Sequence, residues 1–209
     1  NKSKKQAIGI AIHRSLVDFE QTQVVDAMIH GIEAKGFNAF GFFHEGEDLP
    51  LNYVDMLKDD SGQARIAAII YYRSLHYIEK RKQEFESLGV PVIQSLNYQD
   101  GDEQHFKENY TGISANMTPF FLVMPESAGL IDSAVVAAKD KGGNKVVMQK
   151  QMDALIERAV NHAVLASMPN QDKKLAAFIW NYPPGEKNIG AAFLDVPGTL
   201  ENIAKALKA

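Results

Sequence analysis

The sequence has no cysteine at any of its 209 positions. Disulfide bonds, thiolate metal sites and a cysteine nucleophile are therefore excluded for these residues. No run approaches the ~20 apolar residues that a transmembrane helix needs. The phosphate-binding pattern G-x-x-x-x-G-K-[ST] and the dinucleotide-binding pattern G-x-G-x-x-G are also absent. No motif therefore predicts nucleotide binding or hydrolysis by this chain.

Basic residues are in the minority as well. The 22 Lys and Arg residues face 26 Asp and Glu residues, which gives a formal net charge of −4. This balance disfavours nucleic acid as the main partner. The lack of cysteine fits a reducing compartment, and we expect a cytoplasmic protein. The chain begins with Asn instead of Met and ends within a helical pattern, so we expect an internal piece of a longer polypeptide.

What the first 115 residues do contain is a regular alternation of strand and helix patterns. The predicted strands are Ala7–His13, Phe37–His44, Arg65–Tyr72 and Val90–Ser95, and the predicted helices are Gln21–Lys35, Leu51–Lys58 and Tyr77–Leu88. Such alternation implies a parallel sheet with right-handed crossovers. The prediction for residues 1–115 is an α/β domain, flavodoxin-like or Rossmann-like, with helices on both faces of the sheet.

Residues 116–209 read as the start of a second, incomplete α/β unit. Apolar runs predict strands at Pro119–Met124, Ser133–Ala138 and Leu175–Trp180, and a long helix covers residues 149–167. A Pro- and Gly-rich loop, Asn181–Pro197, follows the last strand and leads into an amphipathic segment, Leu200–Leu207. Because Pro183 and Pro184 restrict the backbone, we expect a stiff, ligand-binding loop at a strand's carboxyl end.

Three of the six histidines lie at or just past the carboxyl ends of the first three predicted strands. They are His13, His44 and His76, with Arg14 and Arg73 beside them. The carboxyl ends of parallel strands meet at one edge, so these side chains predict a mouth that handles a metal ion through the histidines and a substrate through the arginines. The alternative is that strand ends are polar simply because they meet solvent.

Two further features supply candidate site residues. Glu126 follows an apolar run, and its carboxylate could accept protons or attract a metal ion, or merely cap the next helical turn. In the Pro-rich loop the candidate substrate contacts are Asn181, Tyr182, Lys187 and Asn188. The alternative for the loop is a sharp turn that packs under the following helix.

The second half of the chain resembles the large subunits of cobaltochelatase and magnesium chelatase. The residues that carry the resemblance are Pro125-Glu126 with Gly129, Pro169-Asn170 with Lys173-Lys174, and the stretch N-Y-P-P-G-E-K-N-I-G-A-A-F-L-D-V-P from Asn181. The first 115 residues agree more loosely, for example at Arg14-Ser15 and Val90–Gln94. Ser127-Ala128 departs from the family pattern, which has a bulky residue and then Asp.

The resemblance implies an internal segment of a tetrapyrrole-binding large subunit, with cobalt insertion into a corrin precursor favoured over magnesium insertion into protoporphyrin. It implies a divalent metal as substrate, no cofactor held by this segment, and separate AAA+ ATPase and adaptor subunits that use ATP. By itself the segment is expected to catalyse nothing. Two alternatives stay open: a relative that removes metal from a tetrapyrrole, and a non-catalytic small-molecule binding module of the periplasmic-receptor type.

Overall fold

The computed structural model describes residues 6–44, 53–179 and 194–207. Its strands form one six-stranded sheet in the order β2-β1-β3-β4-β5-β6. The first five strands are parallel and β6 is antiparallel to β5. Their bounds are β1 Ala7–Ile12, β2 Asn38–Phe43, β3 Ala68–Tyr72, β4 Val92–Asn97, β5 Leu130–Lys139 and β6 Lys145–Val147.

The strand order distinguishes between the two predicted sheet types. The parallel order 2-1-3-4-5 is the flavodoxin-like one, in which the chain switches direction between β1 and β3. The α/β class with a mostly parallel sheet is confirmed. Each of the four predicted strands in the first half is present within a few residues of its expected bounds.

Helices connect the strands and cover both faces of the sheet. Their bounds are α1 Ser15–Asp18, α2 Gln23–Ala34, α3 Tyr53–Met56, α4 Ile78–Leu88, α5 Glu103–Glu108, α6 Met124–Ser127, α7 Gln149–Ser167 and α8 Val196–Ala206. A π-helix covers Pro119–Val123 and a 3-10 turn covers Asn170–Asp172. The positive φ of Gly36, 87°, lets the chain leave α2 and enter β2, as its position after the helix predicts.

Alternate residues of each central strand pack in two separate hydrophobic cores, one on each face of the sheet. Ile8 and Ile10 of β1 pack in the core that contains the apolar faces of α2 and α7. Ala11 of β1 and Tyr71 of β3 pack in the core under α3 and α4. Since β3 is buried along its whole length, its continuous apolar run is explained by helices on both sides.

The predicted strand Pro119–Met124 is wrong, because this segment is helical. Pro119 lacks an N–H and has a restricted φ, which suits the first turn of a helix better than a ladder. The side chains of Phe120 and Val123 are exposed, so no sheet covers this run.

The predicted strand Leu175–Trp180 is also wrong over its described part. Residues 175–179 have no regular secondary structure, and Phe178 is 99% exposed. An apolar run becomes a buried strand only where it pairs with neighbouring strands and a second layer covers it. The described part of Pro169–Ala209 contains no sheet strand with which this run could pair. Trp180 lies outside the described residues.

The chain separates into two compact units, Asn1–Met168 and Pro169–Ala209. The predicted division lay at residue 115, but β5, β6 and α7 all belong to the first unit. Two interactions explain this: β4 pairs along its length with β5, and Met152 and Leu155 of α7 are fully buried in the core shared with α2. In the second unit, α8 begins at Val196, where the Asp195 carboxylate accepts a hydrogen bond from the Gly198 N–H at 3.0 Å.

Candidate functional site

A cavity of about 200 Å³ opens at the carboxyl ends of the central strands β1, β3 and β4. This is the edge at which α/β proteins bind ligands, beside the switch point between β1 and β3. Among the described residues that line it, three carry basic side chains and none is acidic. The lining residues are His13, Ser15, Leu16, Tyr72, Arg73, Ser74, Ser95, Leu96, Asn97, Gln99, Phe121 and Lys145.

His13 is held in one tautomer by Ser15. The Ser15 backbone N–H donates to His13 Nδ1 at 3.2 Å, and the Ser15 hydroxyl lies 2.7 Å from the same nitrogen. Because a backbone N–H only donates, Nδ1 is the unprotonated nitrogen, and the neutral ring carries its hydrogen on Nε2. His13 therefore offers a ligand a hydrogen-bond donor instead of the lone pair that a metal ion requires.

Tyr72 and Asn97 join the ends of β3 and β4. The Tyr72 hydroxyl donates to Asn97 Oδ1 at 2.5 Å, and burial raises the pKa of Tyr72 to about 12. The hydroxyl is thus a donor at neutral pH, and the Asn97 side chain keeps its NH₂ group for another partner. Ser95, two residues earlier on β4, is 2% exposed and its Oγ has no hydrogen-bond partner in the described structure.

Arg73 lies at the mouth between β1 and β2. Its Nη1 donates to the carbonyl oxygen of His44 at 2.5 Å and approaches that of Ile12 at 3.5 Å. These contacts hold the half-buried guanidinium in place. On the opposite side, Lys145 of β6 is also half-buried, and burial followed by repulsion from Lys139 lowers its pKa.

His44 contacts other side chains of the fold and does not line the cavity. Arg81 Nη1 donates to His44 Nδ1 at 2.9 Å, and the imidazole stacks on Tyr53 with 4.6 Å between ring centroids. Burial, with help from Arg73 and Arg81, lowers the pKa of His44 to about 3. Arg81 is 3% exposed and forms an ion pair with Glu84 at 2.9 Å. His44 is consequently a neutral ring whose Nδ1 lone pair is used within the fold.

The other predicted site residues lie apart from the cavity. His76 is exposed beyond β3, and Glu126 is exposed on the short helix α6. Arg14 is exposed, pairs with Asp18 at 3.5 Å and lies over the ring of Phe43. Residues 181, 182, 187 and 188 of the Pro-rich loop lie outside the described ranges.

The structure thus brings His13 and Arg73 to one cavity but does not unite the three histidines. Within residues 6–44, 53–179 and 194–207, no group of three or more His, Cys, Asp or Glu side chains could hold a metal ion. The described helices also include none with the length and apolarity to cross a membrane.

Sequence reasoning missed Ser95, Asn97 and Lys145 as cavity residues. The first two had a signal, because V-I-Q-S-L-N places polar side chains inside an otherwise apolar central strand. Lys145 had none, since it reaches the cavity only through the antiparallel pairing of β6 with β5.

Comparison with known proteins gives consistent matches. The family model described as CobN/Magnesium Chelatase matches residues 1–209. The chain is 28% identical over 220 residues to a magnesium-chelatase subunit from Chlorobaculum parvum, covering 100% of this chain and 17% of that protein. It is 24% identical over 219 residues to the aerobic cobaltochelatase subunit CobN from a Sinorhizobium species, covering 93% of this chain and 16% of that protein.

A chloroplastic relative and a solved structure extend these matches. The chain is 24% identical over 212 residues to the magnesium-chelatase subunit ChlH from Oryza sativa subsp. indica, covering 96% of this chain and 15% of that protein. The fold is similar to that of the catalytic subunit of cobaltochelatase from Mycobacterium tuberculosis, with a TM-score of 0.66, 18% identity, and coverage of 82% of this chain and 16% of that one. The chain spans only 15% to 17% of the length of these curated relatives.

Proposed function

The chain belongs to the CobN/magnesium chelatase family, and on that premise we propose that it is a segment of the tetrapyrrole-binding large subunit of an ATP-dependent metal chelatase. The observation that carries the proposal is the family match along all 209 residues. The flavodoxin-like sheet with a ligand-sized opening at its carboxyl edge supports a role in binding.

We propose cobalt insertion into a corrin precursor as the reaction of the parent protein. Magnesium insertion into protoporphyrin and removal of metal from a tetrapyrrole are the competing reactions. Relatives named for both metals match at similar identity, 24% to 28%, so the choice of metal is tested directly below.

Metal insertion needs a base for two pyrrole N–H protons and contacts that orient the ring. We propose Glu126 as a proton acceptor, because its exposed carboxylate is accessible to a substrate. Arg14, Arg73 and the loop residues Asn181, Tyr182, Lys187 and Asn188 are proposed substrate contacts. The geometry of His13 and His44 disfavours the expected metal role, since each Nδ1 lone pair already accepts a hydrogen bond from a group that only donates.

The energy source is proposed to lie in other chains. This sequence lacks a phosphate-binding loop motif, which agrees with ATP hydrolysis by AAA+ and adaptor subunits. We propose a cytoplasmic location for the assembled enzyme.

The proposal is tested by metal insertion assays on the full polypeptide, with any flanking sequence retained and with its partner subunits and ATP. Cobalt with a corrin precursor and magnesium with protoporphyrin are compared by the absorbance change of the ring. We expect the cobalt reaction to proceed faster. Faster magnesium insertion would reverse the choice of metal, and net release of metal from a loaded ring would identify a metal-removing enzyme.

Glu126→Gln should lower the insertion rate about 100-fold or more, because general acid–base groups typically contribute 10² to 10⁴-fold. Glu86→Gln is the matched control, because Glu86 is also exposed and lies on the separate helix α4. Both variants should unfold at the wild-type urea midpoint. A Glu126→Gln protein with wild-type turnover would remove Glu126 from the mechanism.

The binding-module alternative makes a different prediction. Trp180 is the only tryptophan, so its fluorescence reports ligand titrations. Saturable quenching by a small sugar, with none by a tetrapyrrole, would replace the chelatase proposal.

A further inference from the structure

The cavity at the carboxyl edge of β1, β3 and β4 has a lining that suits one particular part of a tetrapyrrole. We propose that it is an anchoring subsite for a peripheral carboxylate side chain of the ring, and that the metal enters the ring elsewhere. This inference rests on the function proposed above.

Hydrogen-bond donors on β4 and β6, together with His13 just after β1, line the cavity. The tautomer of His13 leaves an N–H on Nε2, and the Tyr72 bond to Oδ1 leaves Asn97 with its NH₂ group. The Ser95 hydroxyl and the Lys145 ammonium add two further donors. A carboxylate only accepts hydrogen bonds and has about four lone-pair sites for them. The donor set and the ligand are therefore complementary.

Ser95 gives an independent indication of a ligand. Its side chain is 2% exposed, it lines the cavity, and its Oγ has no partner in the described part of the chain. Buried hydroxyl groups in folded proteins nearly always have a partner. An oxygen atom of a bound ligand would supply the missing one.

The charge and the volume of the cavity exclude the metal ion and the macrocycle as its occupants. The described lining contains His13, Arg73 and Lys145 but no acidic side chain, so the cavity favours an anion over a metal cation. Its volume of about 200 Å³ is below the roughly 300–1,000 Å³ of sites that enclose whole small molecules. A side chain of a few atoms fits this space, whereas the macrocycle does not.

The inference is tested by comparing a porphyrin that has free carboxylic acids with its full methyl ester. The ester keeps the ring but loses the anions. Dissociation constants are measured by fluorescence quenching on the full polypeptide, with flanking sequence retained. In the wild type we expect the ester to bind about 10- to 100-fold more weakly, since charge-assisted hydrogen bonds are lost.

Two variants locate the effect in the cavity. Ser95→Ala and Lys145→Met should each weaken binding of the free acid about 10-fold and reduce the acid–ester difference. Since Ser95 Oγ has no partner in the described structure, Ser95→Ala should not lower the urea midpoint, whereas loss of a structural hydrogen bond would lower it. Lys141→Met is the matched control, because Lys141 is exposed in the turn between β5 and β6 and does not line the cavity.

Each failure has a separate signature. Equal wild-type affinity for acid and ester would overturn the carboxylate subsite while leaving tetrapyrrole binding in place. No binding of either porphyrin would overturn the proposed function itself. Inorganic phosphate is tested in the same way. If it binds the wild type, binds Ser95→Ala more weakly and leaves porphyrin binding unchanged, the cavity is a phosphate site instead.

Discussion

Gly31 shows how one absent methyl group determines the packing of two helices. A Cβ atom at this position would lie 2.1 Å from Cδ1 of Ile156, which is 3% exposed where α7 packs on α2. This is far closer than atoms in a packed interior approach one another. The close approach of α7 therefore explains why position 31 is a glycine, although glycine has a weak helix propensity.

Gly31→Ala should lower the free energy of unfolding by about 1–2 kcal/mol, because overpacking in the core outweighs the ~1 kcal/mol gain in helix propensity. Ile156→Val removes Cδ1. In that background the same Gly31→Ala change should be neutral or stabilising. Urea unfolding of the four proteins measures the effect, and a loss of equal size in both backgrounds would contradict this explanation.

His44 makes stability depend on pH. Its pKa is about 3 in the folded chain and about 6.5 in the unfolded chain. Between these values the unfolded chain binds a proton that the folded chain does not, so the free energy of unfolding falls as the pH is lowered. The contribution of this group amounts to about 2 kcal/mol between pH 7 and pH 5.

The His44→Gln variant should lose this part of the pH dependence, since glutamine keeps an acceptor for Arg81 and does not titrate. His76→Gln, at an exposed position, is the control. Urea unfolding at pH 5 and pH 7 provides the measurement. A His44→Gln protein with the wild-type difference between the two pH values would show that another group is responsible.

At the scale of elements, α7 should be essential to the sheet it covers. Met152→Ala should lower the free energy of unfolding by about 2–5 kcal/mol, because the side chain is fully buried under the sheet. Leu165→Ala should change it by less than about 0.5 kcal/mol, because Leu165 is 51% exposed on the same helix. Comparable losses in the two variants would contradict this packing.

The elements that periodicity predicted well are the long ones. Helix α7, for example, shows apolar residues at helical spacing over five turns. The strand predicted at Pro119–Met124 failed because a short apolar run cannot distinguish a strand from a helix. What decides is whether neighbouring strands are available, and that information lies elsewhere in the chain.

The candidate site was predictable only in part for a similar reason. His13 and Arg73 could be placed at one edge, because parallel strands end together. Ser95 and Lys145 join them through the strand order and the β5–β6 hairpin, which no local pattern encodes. His44 follows its strand as expected, but the side chain of Arg81, 37 residues later, occupies its Nδ1.

At the scale of the whole molecule, the compact unit Asn1–Met168 should unfold as one. A chain that ends at Met168 should retain a single cooperative urea transition. A chain that ends at residue 115 should not, because it lacks β5, β6 and α7 and exposes Met28 and Ile32 of the shared core. Circular dichroism follows both transitions. A cooperative transition of the shorter chain at the same urea concentration would support a domain boundary at 115.

The central place of β1 has a consequence for synthesis on the ribosome. This strand leaves the ribosome before β2 and β3, between which it lies, and the core in which its isoleucines pack also contains residues of a helix that ends at Ser167. At translation speeds of 5–20 residues per second, about 8–30 s separate the two events. During that interval nascent chains expose an aggregation-prone segment, so slower elongation should increase their dependence on chaperones.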